Sequence, residues 1–326
     1  MAITLADVAK KAGVSATTVS RVINNYGYLS EKTIKKVRQA MEELNYQPNA
    51  LARSLQGKGT QLIGLIFPSV AHPFYGELVE ALESCFFEEG YYTILCNSAN
   101  NKEKERHYLR MLAANQVDGI VAGAHNMGIE EYHHYQKQVV SFDRYLSEEI
   151  PIVGSDNFQG GQMATEMLSL RGAKRIGIFT GSQKSASPTN QRLEGYLSVI
   201  ETQKLNPYVY QLQEQRSPKI AAQHIQSILK KDQLDGIFCT DDLTALLTLD
   251  AAKDLGLQVP HDLKIVGYDG SRFIQNYHPE LSTIVQPIQD YANLIADLLI
   301  KKIKEPNSDL NRNYQLPVSF LQGKTC

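Results

Sequence analysis

The chain has 326 residues, of which 43% are hydrophobic and 21% are charged. This length and ordinary globular composition exclude a single small module, a fibrous repeat and wholesale disorder, and we expect two or three domains. The most apolar stretches, such as Leu62–Phe67, have strand length and fall short of the roughly 18 residues that a membrane-spanning helix needs. We expect no contact with a membrane.

The net charge of −2 hides a division of sign along the chain. Residues 1–60 contain nine Lys/Arg and four Asp/Glu, a net charge of +5, and the remaining residues carry −7. A basic head on an acidic body indicates that the head alone meets a polyanion.

Two further features concern the cellular compartment. The amino-terminal residues lack the basic leader and apolar block of a secretory signal, which predicts a cytoplasmic protein. The four cysteines are far apart in the sequence, so we expect reduced thiols and no disulfide framework.

The first 47 residues predict three short helices. The apolar residues of Leu5–Ala12 recur with helical spacing, and Gly13 ends this helix. Ser15 can cap a second helix over residues 15–24, and Ser30 can cap a third, whose apolar side supplies a core. Two helices joined by a three-residue turn and supported by a third predict a small all-α helix-turn-helix head.

The second helix suits the major groove of DNA. Arg21 can make a forked contact to guanine, and Ala16 and Thr17 can meet a thymine methyl group or a base edge. The alternative is a three-helix module that binds protein, in which Arg21 is a solvated surface charge.

Residues 48–60 predict a hinge helix and linker. Asn49 can cap a helix over residues 50–56 that Gly57 ends, but isolated helices shorter than about 12 to 15 residues are marginal in water. An ordinary linker has no use for Leu51 and Leu55 on one face. In a helix ordered on DNA, Leu55 can wedge between base steps in the minor groove.

From Leu62 onward, strand-like runs alternate with amphipathic helices, which predicts an α/β body with buried parallel strands. Two echoes indicate a duplication: residues 116–120 (QVDGI) return at 233–237 (QLDGI), and residues 63–66 resemble 176–179. Two doubly wound parallel-sheet subdomains, meeting near residue 160, would form a cleft at the carboxyl ends of their strands, where such sheets bind ligands.

Polar and aromatic side chains follow these strands, and the set suits a sugar, which needs aromatic surface for its ring and polar groups for its hydroxyls. The candidate ligand-binding residues are His72, Phe74, Tyr75, Asp143, Arg144, Arg192, Asp241 with its neighbour Asp242, Asp269 and Gln286. Each has another interpretation, since an aspartate after a strand commonly caps the next helix and Phe74 can belong to the core.

An enzyme is disfavoured. Gly181 and Ser182 lack the other glycines and the lysine of a nucleotide-binding loop, and no Ser, His and Asp set has a nucleophile-elbow motif. The pairs Asp241–Asp242 and His133–His134 lack further ligands at metal spacing. We expect no cofactor and no metal.

The motifs resemble those of the LacI/GalR repressor family. The head motifs are residues 4–9 (TLADVA), 13–15 (GVS), 18–24 (TVSRVIN), 48–50 (PNA) and 52–55 (ARSL). The body motifs are residues 116–120, 192–196, 266–269 and 283–287, so the resemblance covers essentially the whole chain. Within the family, residues 27–32 (GYLSEK) and 155–158 (SDNF) are most similar to the branch that regulates sucrose operons in lactic-type Gram-positive bacteria.

The resemblance implies a homodimer, a body like a periplasmic sugar-binding protein, recognition helices in successive major grooves and paired hinge helices in the minor groove. The DNA contacts that it implies are Thr4, Ser15, Ala16, Thr17, Arg21, Asn24, Tyr28, Ser30, Ala52 and Leu55. It places the effector at the nine candidates His72, Phe74, Tyr75, Asp143, Arg144, Arg192, Asp241, Asp269 and Gln286. His72 and Asp241 stand where sugar-binding relatives often have asparagine, so the specificity for hydroxyls does not carry over.

The domains expected on this basis are a helix-turn-helix domain over residues 1–47, the hinge over 48–60, and an effector-binding and dimerisation domain over 61–326. The two subdomains of the last are approximately 61–160 plus a C-terminal crossover segment, and 161–285. Sucrose, a sucrose phosphate or a fructose-like sugar is expected to control affinity for an operator, either as inducer or as corepressor. The rival, a plain sugar-binding receptor, is disfavoured by the basic head.

Overall fold

The computed structural model describes residues 3–23, 26–46, 59–114, 116–124, 126, 128–181, 187–212 and 217–326. The chain forms two compact units, Met1–Gln61 and Leu62–Cys326. The predicted contacts Asn24, Ala52 and Leu55, and the predicted hinge helix, lie outside the described residues. No helix in the described ranges has the length and apolar character to cross a membrane.

The first unit contains three helices, α1 (Leu5–Ala12), α2 (Ala16–Ile23) and α3 (Glu31–Glu43). Thr4 and Asp7 form a reciprocal capping box at the start of α1, and Gly13, with φ of 66°, ends that helix in the left-handed conformation that glycine favours. The three helices enclose a small core of Val8, Ala9, Ala12, Val19, Val22, Val37 and Ala40. This head is the all-α helix-turn-helix arrangement that the sequence predicted.

The second unit contains two six-stranded sheets with helices around them. The strands are β1 (Leu62–Phe67), β2 (Tyr92–Asn97), β3 (Gly119–Ala122), β4 (Val139–Phe142), β5 (Ile152–Ser155), β6 (Ile176–Thr180), β7 (Tyr208–Gln211), β8 (Gly236–Cys239), β9 (Lys264–Asp269), β10 (Ser282–Val285), β11 (Asn313–Leu316) and β12 (Ser319–Leu321). The α-helices are α4 (Pro73–Glu88), α5 (Lys102–Ala114), α6 (Asn157–Leu170), α7 (Gln191–Thr202), α8 (Pro218–Asp232), α9 (Asp242–Asp254), α10 (Arg272–Tyr277) and α11 (Ile288–Lys304).

The two sheets have the same strand order, which supports the duplication seen in the sequence. The first has the order β11-β5-β4-β3-β1-β2 and the second β12-β10-β9-β8-β6-β7. Ile63 lies opposite Gly119 in the first sheet, and Ile176 lies opposite Gly236 in the second, so the repeated sequences share one register. All described strand pairs are parallel except that of β10 with β12.

We call the first sheet with α4, α5 and α11 the first subdomain, and the second sheet with α6 to α10 the second subdomain. The chain passes between them after β5, after β10 and after β11. After the second passage α11 packs against α4 in the core of the first subdomain. Residues at the carboxyl ends of the strands of the two subdomains lie close together, as the contacts of Asp143 with Arg192 and with Asn157 show, and they define a cleft between the two sheets.

Candidate functional site

Helix α2 presents the predicted base-reading residues on its outer face. Ala16, Thr17 and Arg21 are exposed, whereas Val19 and Val22 are buried against the rest of the head. The period of the helix thus leaves a small-residue surface with one guanidinium, which can approach the edges of base pairs closely.

Four of the other predicted DNA contacts lie at helix starts or on an exposed loop. Thr4, Ser15 and Ser30 each accept a hydrogen bond from the backbone amide three residues later, at 3.4, 3.1 and 3.3 Å respectively. Tyr28, in the loop before α3, is 98% exposed. The three hydroxyls therefore already have a structural role as caps, and contact with phosphate stays a prediction for all four residues.

The cleft of the second unit is organised around Arg192 at the start of α7. Its side chain lies between two carboxylates, 4.0 Å from Asp143 of the first subdomain and 4.0 Å from Asp269 of the second. Its Nε atom donates to Asn157 Oδ1 at 2.7 Å, and its Nη1 atom donates to the carbonyl of Thr240 at 2.7 Å. The charge of Arg192 thus connects it to Asp143 of the first subdomain, while its two directed hydrogen bonds fix the guanidinium within the second subdomain.

A close approach of two helices sets the position of Arg192. A Cβ atom at Gly161 of α6 would lie 2.2 Å from the backbone oxygen of Arg192, a distance that only glycine permits. This contact brings the starts of α6 and α7 together and places Asn157 beside the guanidinium.

The two carboxylates are buried and are held in unusual backbone conformations. Asp143 and Asp269 are 3% and 6% exposed, with φ of 49° and 115°. Burial raises the pKa of Asp143 to about 6 and that of Asp269 to about 7, although the positive charge of Arg192 opposes both changes. A positive φ and a buried carboxylate with a raised pKa each cost folding free energy. Residues with both features are frequent at binding sites.

Gln286 completes this group at the second passage between the subdomains. Its Nε2 atom donates to Asp269 Oδ1 at 2.8 Å, and its Oε1 atom accepts from the Tyr291 hydroxyl at 3.3 Å. The structure therefore brings together four of the nine predicted effector residues, Asp143, Arg192, Asp269 and Gln286.

His72 and Tyr75 line the first-subdomain side of the same cleft. Their ring centroids are 5.4 Å apart, and His72 feels the charges of both Asp241 and Arg192. Burial lowers the pKa of His72, so its imidazole is neutral at pH 7. The buried Nδ1 atom of His72 has no hydrogen-bond partner within the described part of the chain.

Three predicted residues have structural contacts that differ from those of the others. Phe74 is 4% exposed and packs on Phe142 in the core, with ring centroids 5.9 Å apart. Asp241 caps α9 by accepting from the amide of Thr244 at 2.8 Å. Arg144 is not brought to the Arg192 group, because its guanidinium binds the fully buried Glu105 at 2.5 Å.

Residues that the sequence did not single out also belong to the site. Fully buried Asn157 donates to Asp143 Oδ1 at 3.2 Å while it accepts from Arg192, so it links the two subdomains directly. The ring of Tyr268 stacks under the guanidinium, with Arg192 Cζ 3.6 Å from the ring centroid. In the ranges that the structure describes, no group of three or more His, Cys, Asp or Glu side chains is arranged to hold a metal ion.

Comparison with known proteins identifies the class. The profile of the bacterial regulatory proteins of the lacI family matches residues 4–49, and that of the periplasmic binding protein-like domain matches residues 165–326. With the relatives below, these matches show that the chain belongs to the lacI family of bacterial regulatory proteins, as its motifs predicted. This is a family of DNA-binding regulators and not of enzymes.

The most informative relatives connect both units to known functions. The chain is 54% identical over 322 residues to the sucrose operon repressor of Pediococcus pentosaceus, covering 99% of each chain. It resembles the lac repressor dimer bound to operator and the anti-inducer ONPF, with a TM-score of 0.84 and 27% identity, covering 100% of this chain and 99% of that one. It also resembles a regulator from Alkaliphilus metalliredigens complexed with D-xylulofuranose, with a TM-score of 0.74 and 30% identity, covering 81% of this chain and 98% of that one.

Proposed function

We propose that this protein is a homodimeric transcriptional repressor of a sucrose-utilisation operon. In this proposal a small carbohydrate, such as sucrose, a sucrose phosphate or a fructose-like sugar, binds in the cleft and controls affinity for the operator in the cytoplasm. The observation that carries the proposal is the position of Arg192, whose guanidinium lies 4.0 Å from both Asp143 and Asp269 in the cleft. The head of the same chain exposes helix α2, which suits the reading of DNA bases. Relatives named sucrose operon repressors supply the expected sugar.

The chemistry of the cleft suits a polyol. Carboxylates accept hydrogen bonds from sugar hydroxyls, and the guanidinium and the Gln286 amide donate hydrogen bonds to them. Tyr75 and neutral His72 add aromatic surface on which an apolar ring face can pack. We assign contact with the effector to His72, Tyr75, Asp143, Arg192, Asp241, Asp269 and Gln286, with Phe74 supporting Tyr75 from the core.

The proposed coupling is a shift between two populations of the body. A sugar that touches both subdomains alters their closure, and closure in turn decides whether the paired hinge segments can be held together on DNA. To move the protein from 99% operator-competent to 99% released, the sugar must prefer one state by about 10⁴-fold. Weak ligands therefore act only in excess over their dissociation constants.

The deciding experiment titrates an operator fragment with purified protein in the presence of sucrose, sucrose phosphate or fructose. We expect one of these sugars to weaken operator binding by at least about tenfold at saturation. Because residues 1–60 carry a net charge of +5, binding of DNA without sugar should also weaken steeply as salt rises. Operator affinity that no sugar changes would contradict the proposed effector, and stronger binding would make it a corepressor.

A single substitution tests the DNA-reading helix. Arg21→Ala should lower discrimination at one base pair of each half-site by about 1 to 3 kcal/mol, because the forked contact to guanine is lost. The measurement compares the affinities of both proteins for the operator and for an operator altered at that base pair.

The control is Arg38→Ala, which removes an equal charge from an exposed position on α3. It should weaken binding to every sequence alike. If Arg21→Ala also behaved in this uniform way, Arg21 would be a phosphate contact and not a base reader.

A further inference from the structure

A buried ion pair lies next to the cleft but outside the group around Arg192. Glu105 of α5 is fully buried, and its Oε1 atom accepts from Arg144 Nη1 at 2.5 Å and from the Tyr132 hydroxyl at 2.8 Å. Its Oε2 atom accepts from the side-chain amide of Asn126 at 2.7 Å. A solvent-excluded carboxylate with three donors is a fixed point in the first subdomain.

Arg144 is held from several sides at this point. Its Nη1 atom also donates to the carbonyl of Ala124 at 2.5 Å, and its Nη2 atom donates to the carbonyl of Asn126. Its Cζ atom lies 5.3 Å from the ring centroid of Tyr132, and the residue is 4% exposed. To touch a ligand in the cleft, the guanidinium would have to leave all of these partners.

The residue before Arg144 is Asp143, one of the two cleft carboxylates. Asp143 has φ of 49°, and a Cβ atom at Gly154 would lie 2.3 Å from its Oδ1 atom, so its carboxylate fits in one confined place. The carbonyl of Arg144 accepts from Ser141 Oγ at 2.6 Å, which ties the backbone on the other side. The position of Asp143 in the cleft thus depends on how its neighbour is anchored.

We propose that the Glu105–Arg144 ion pair positions the Asp143 carboxylate in the cleft. Arg144 then acts on effector binding through the backbone of Asp143 and without touching the effector. This inference rests on the proposed function, because it assigns the pair a part in sugar binding.

The first test is a double-mutant cycle on sugar affinity, measured by calorimetry with the sugar that wild type binds best. Glu105→Gln keeps Arg144 and should weaken sugar binding by about tenfold, while in an Asp143→Asn background the same change should cost less than about twofold. Glu103→Gln, an exposed neighbour on the same helix, is the control and should have no effect. Equal losses in both backgrounds, or no loss in either, would overturn the proposal.

A second variant keeps the test valid if an unpaired Arg144 prevents folding. Glu105→Gln combined with Arg144→Gln removes both charges, so no buried charge is left alone. Chemical denaturation should show a cooperative transition of the second unit, which shows that its fold is retained. Operator binding without sugar should stay within about twofold of wild type, and sugar binding should again fall by about tenfold. Wild-type sugar affinity in this variant would contradict a positioning role.

The third readout does not depend on the identity of the sugar. This readout is a carbon NMR titration of the Asp143 carboxyl, whose signal is assigned with Asp143→Asn. In the variant that combines Glu105→Gln with Arg144→Gln, the pKa of Asp143 should fall from about 6 towards its ordinary range. If wild type binds none of the sugars but this pKa falls, the pair positions Asp143 and the proposed effector is wrong. If sugar binds and neither this pKa nor the sugar affinity changes, the effector proposal stands and the positioning role fails.

Discussion

Arg192→Ala is expected to abolish the response of operator binding to sugar and to weaken sugar binding by about 100-fold or more. The side chain makes two directed hydrogen bonds and lies 4.0 Å from each of two buried carboxylates. Those two bonds hold the guanidinium in place, and its remaining N–H groups are the donors that we propose for the sugar. Hydrogen bonds from a charged donor contribute about 1.5 to 3 kcal/mol each, so the loss of two such bonds to the sugar would weaken its binding by about 100-fold or more. Sugar affinity is measured by calorimetry, and the response by operator titration with and without sugar.

The same substitution should also destabilise the second unit. Asp143 and Asp269 would remain in the cleft without a neighbouring positive charge, and breaking a buried pair in this way typically costs about 3 to 5 kcal/mol. Chemical denaturation measures this free energy. The head folds around its own core, so operator binding without sugar should be retained wherever the body remains folded.

Two further variants separate the charge of Arg192 from its shape. Arg192→Lys keeps the positive charge and should restore most of the stability, but a lysine cannot make the forked contacts and should still lose at least about tenfold in sugar affinity. Arg171→Ala removes an exposed arginine at the end of α6 and should change neither quantity. A normal sugar response in Arg192→Ala would remove this residue from the effector site.

The sequence predicted the group around Arg192 because the position of a residue at a strand end is a property of topology. In a parallel sheet all carboxyl ends lie at one edge, so Asp143 after β4 and Asp269 at the end of β9 had to face the cleft between two such sheets. The repeated sequences, in which β6 resembles β1 and β8 resembles β3, fixed the correspondence between the two sheets.

Asn157 and Tyr268 could not be predicted in the same way. Asn157 resembles any polar residue in the first turn of a helix, and Tyr268 resembles any apolar residue of a buried strand. Their roles arise only where α6 and α7 approach at Gly161 and bring Arg192 between them. Packing between helices that are distant in sequence produces this contact, and no local pattern encodes it.

Arg144 shows a limit of a different kind. Arg144 is directed away from the Arg192 group by its ion pair with Glu105 of α5, and no local pattern around Arg144 predicts a partner so distant in sequence. Strand β10 has no continuous apolar run in the sequence, because it begins with the polar residues Ser282 and Thr283, although both are fully buried. Thr283 Oγ1 donates to Asp242, and the amide of Ser282 donates to Thr325 Oγ1, so the hydrogen bonds that make burial possible are tertiary.

The second large effect is expected for Asp269→Asn, which should remove the sugar response and stabilise the protein at the same time. The amide can still accept from Gln286, and asparagine tolerates positive φ as aspartate does, but it cannot act as a charged acceptor for sugar hydroxyls. Sugar affinity should fall by about 30-fold or more, because hydrogen bonds to a charged group contribute about 1.5 to 3 kcal/mol.

The stabilisation follows from the raised pKa of Asp269, about 7 against an ordinary value near 3.8, which burial causes. A carboxyl whose pKa is raised on folding holds its proton more tightly in the folded chain than in the unfolded chain. The free energy of unfolding therefore falls as the pH rises through the folded-state pKa. Between pH 6 and 8 the wild-type protein should lose about 1 to 2 kcal/mol, to which Asp143, with a pKa of about 6, adds a smaller part. His72, whose pKa burial lowers, acts in the opposite direction only below about pH 6.5.

Denaturation of sugar-free wild type and Asp269→Asn between pH 6 and 8 measures the difference directly. The variant should show a flatter dependence on pH and exceed the wild-type stability by about 2 kcal/mol at pH 8. Asp262→Asn is the matched control: hydrogen bonds lower the pKa of that exposed carboxyl, so its substitution should leave the slope in this range unchanged. Parallel pH profiles for wild type and Asp269→Asn would show that Asp269 is ionised in the fold at little cost. If the Asp269→Asn variant were more stable than wild type and kept its sugar response, the buried carboxylate of Asp269 would not be needed for sugar binding.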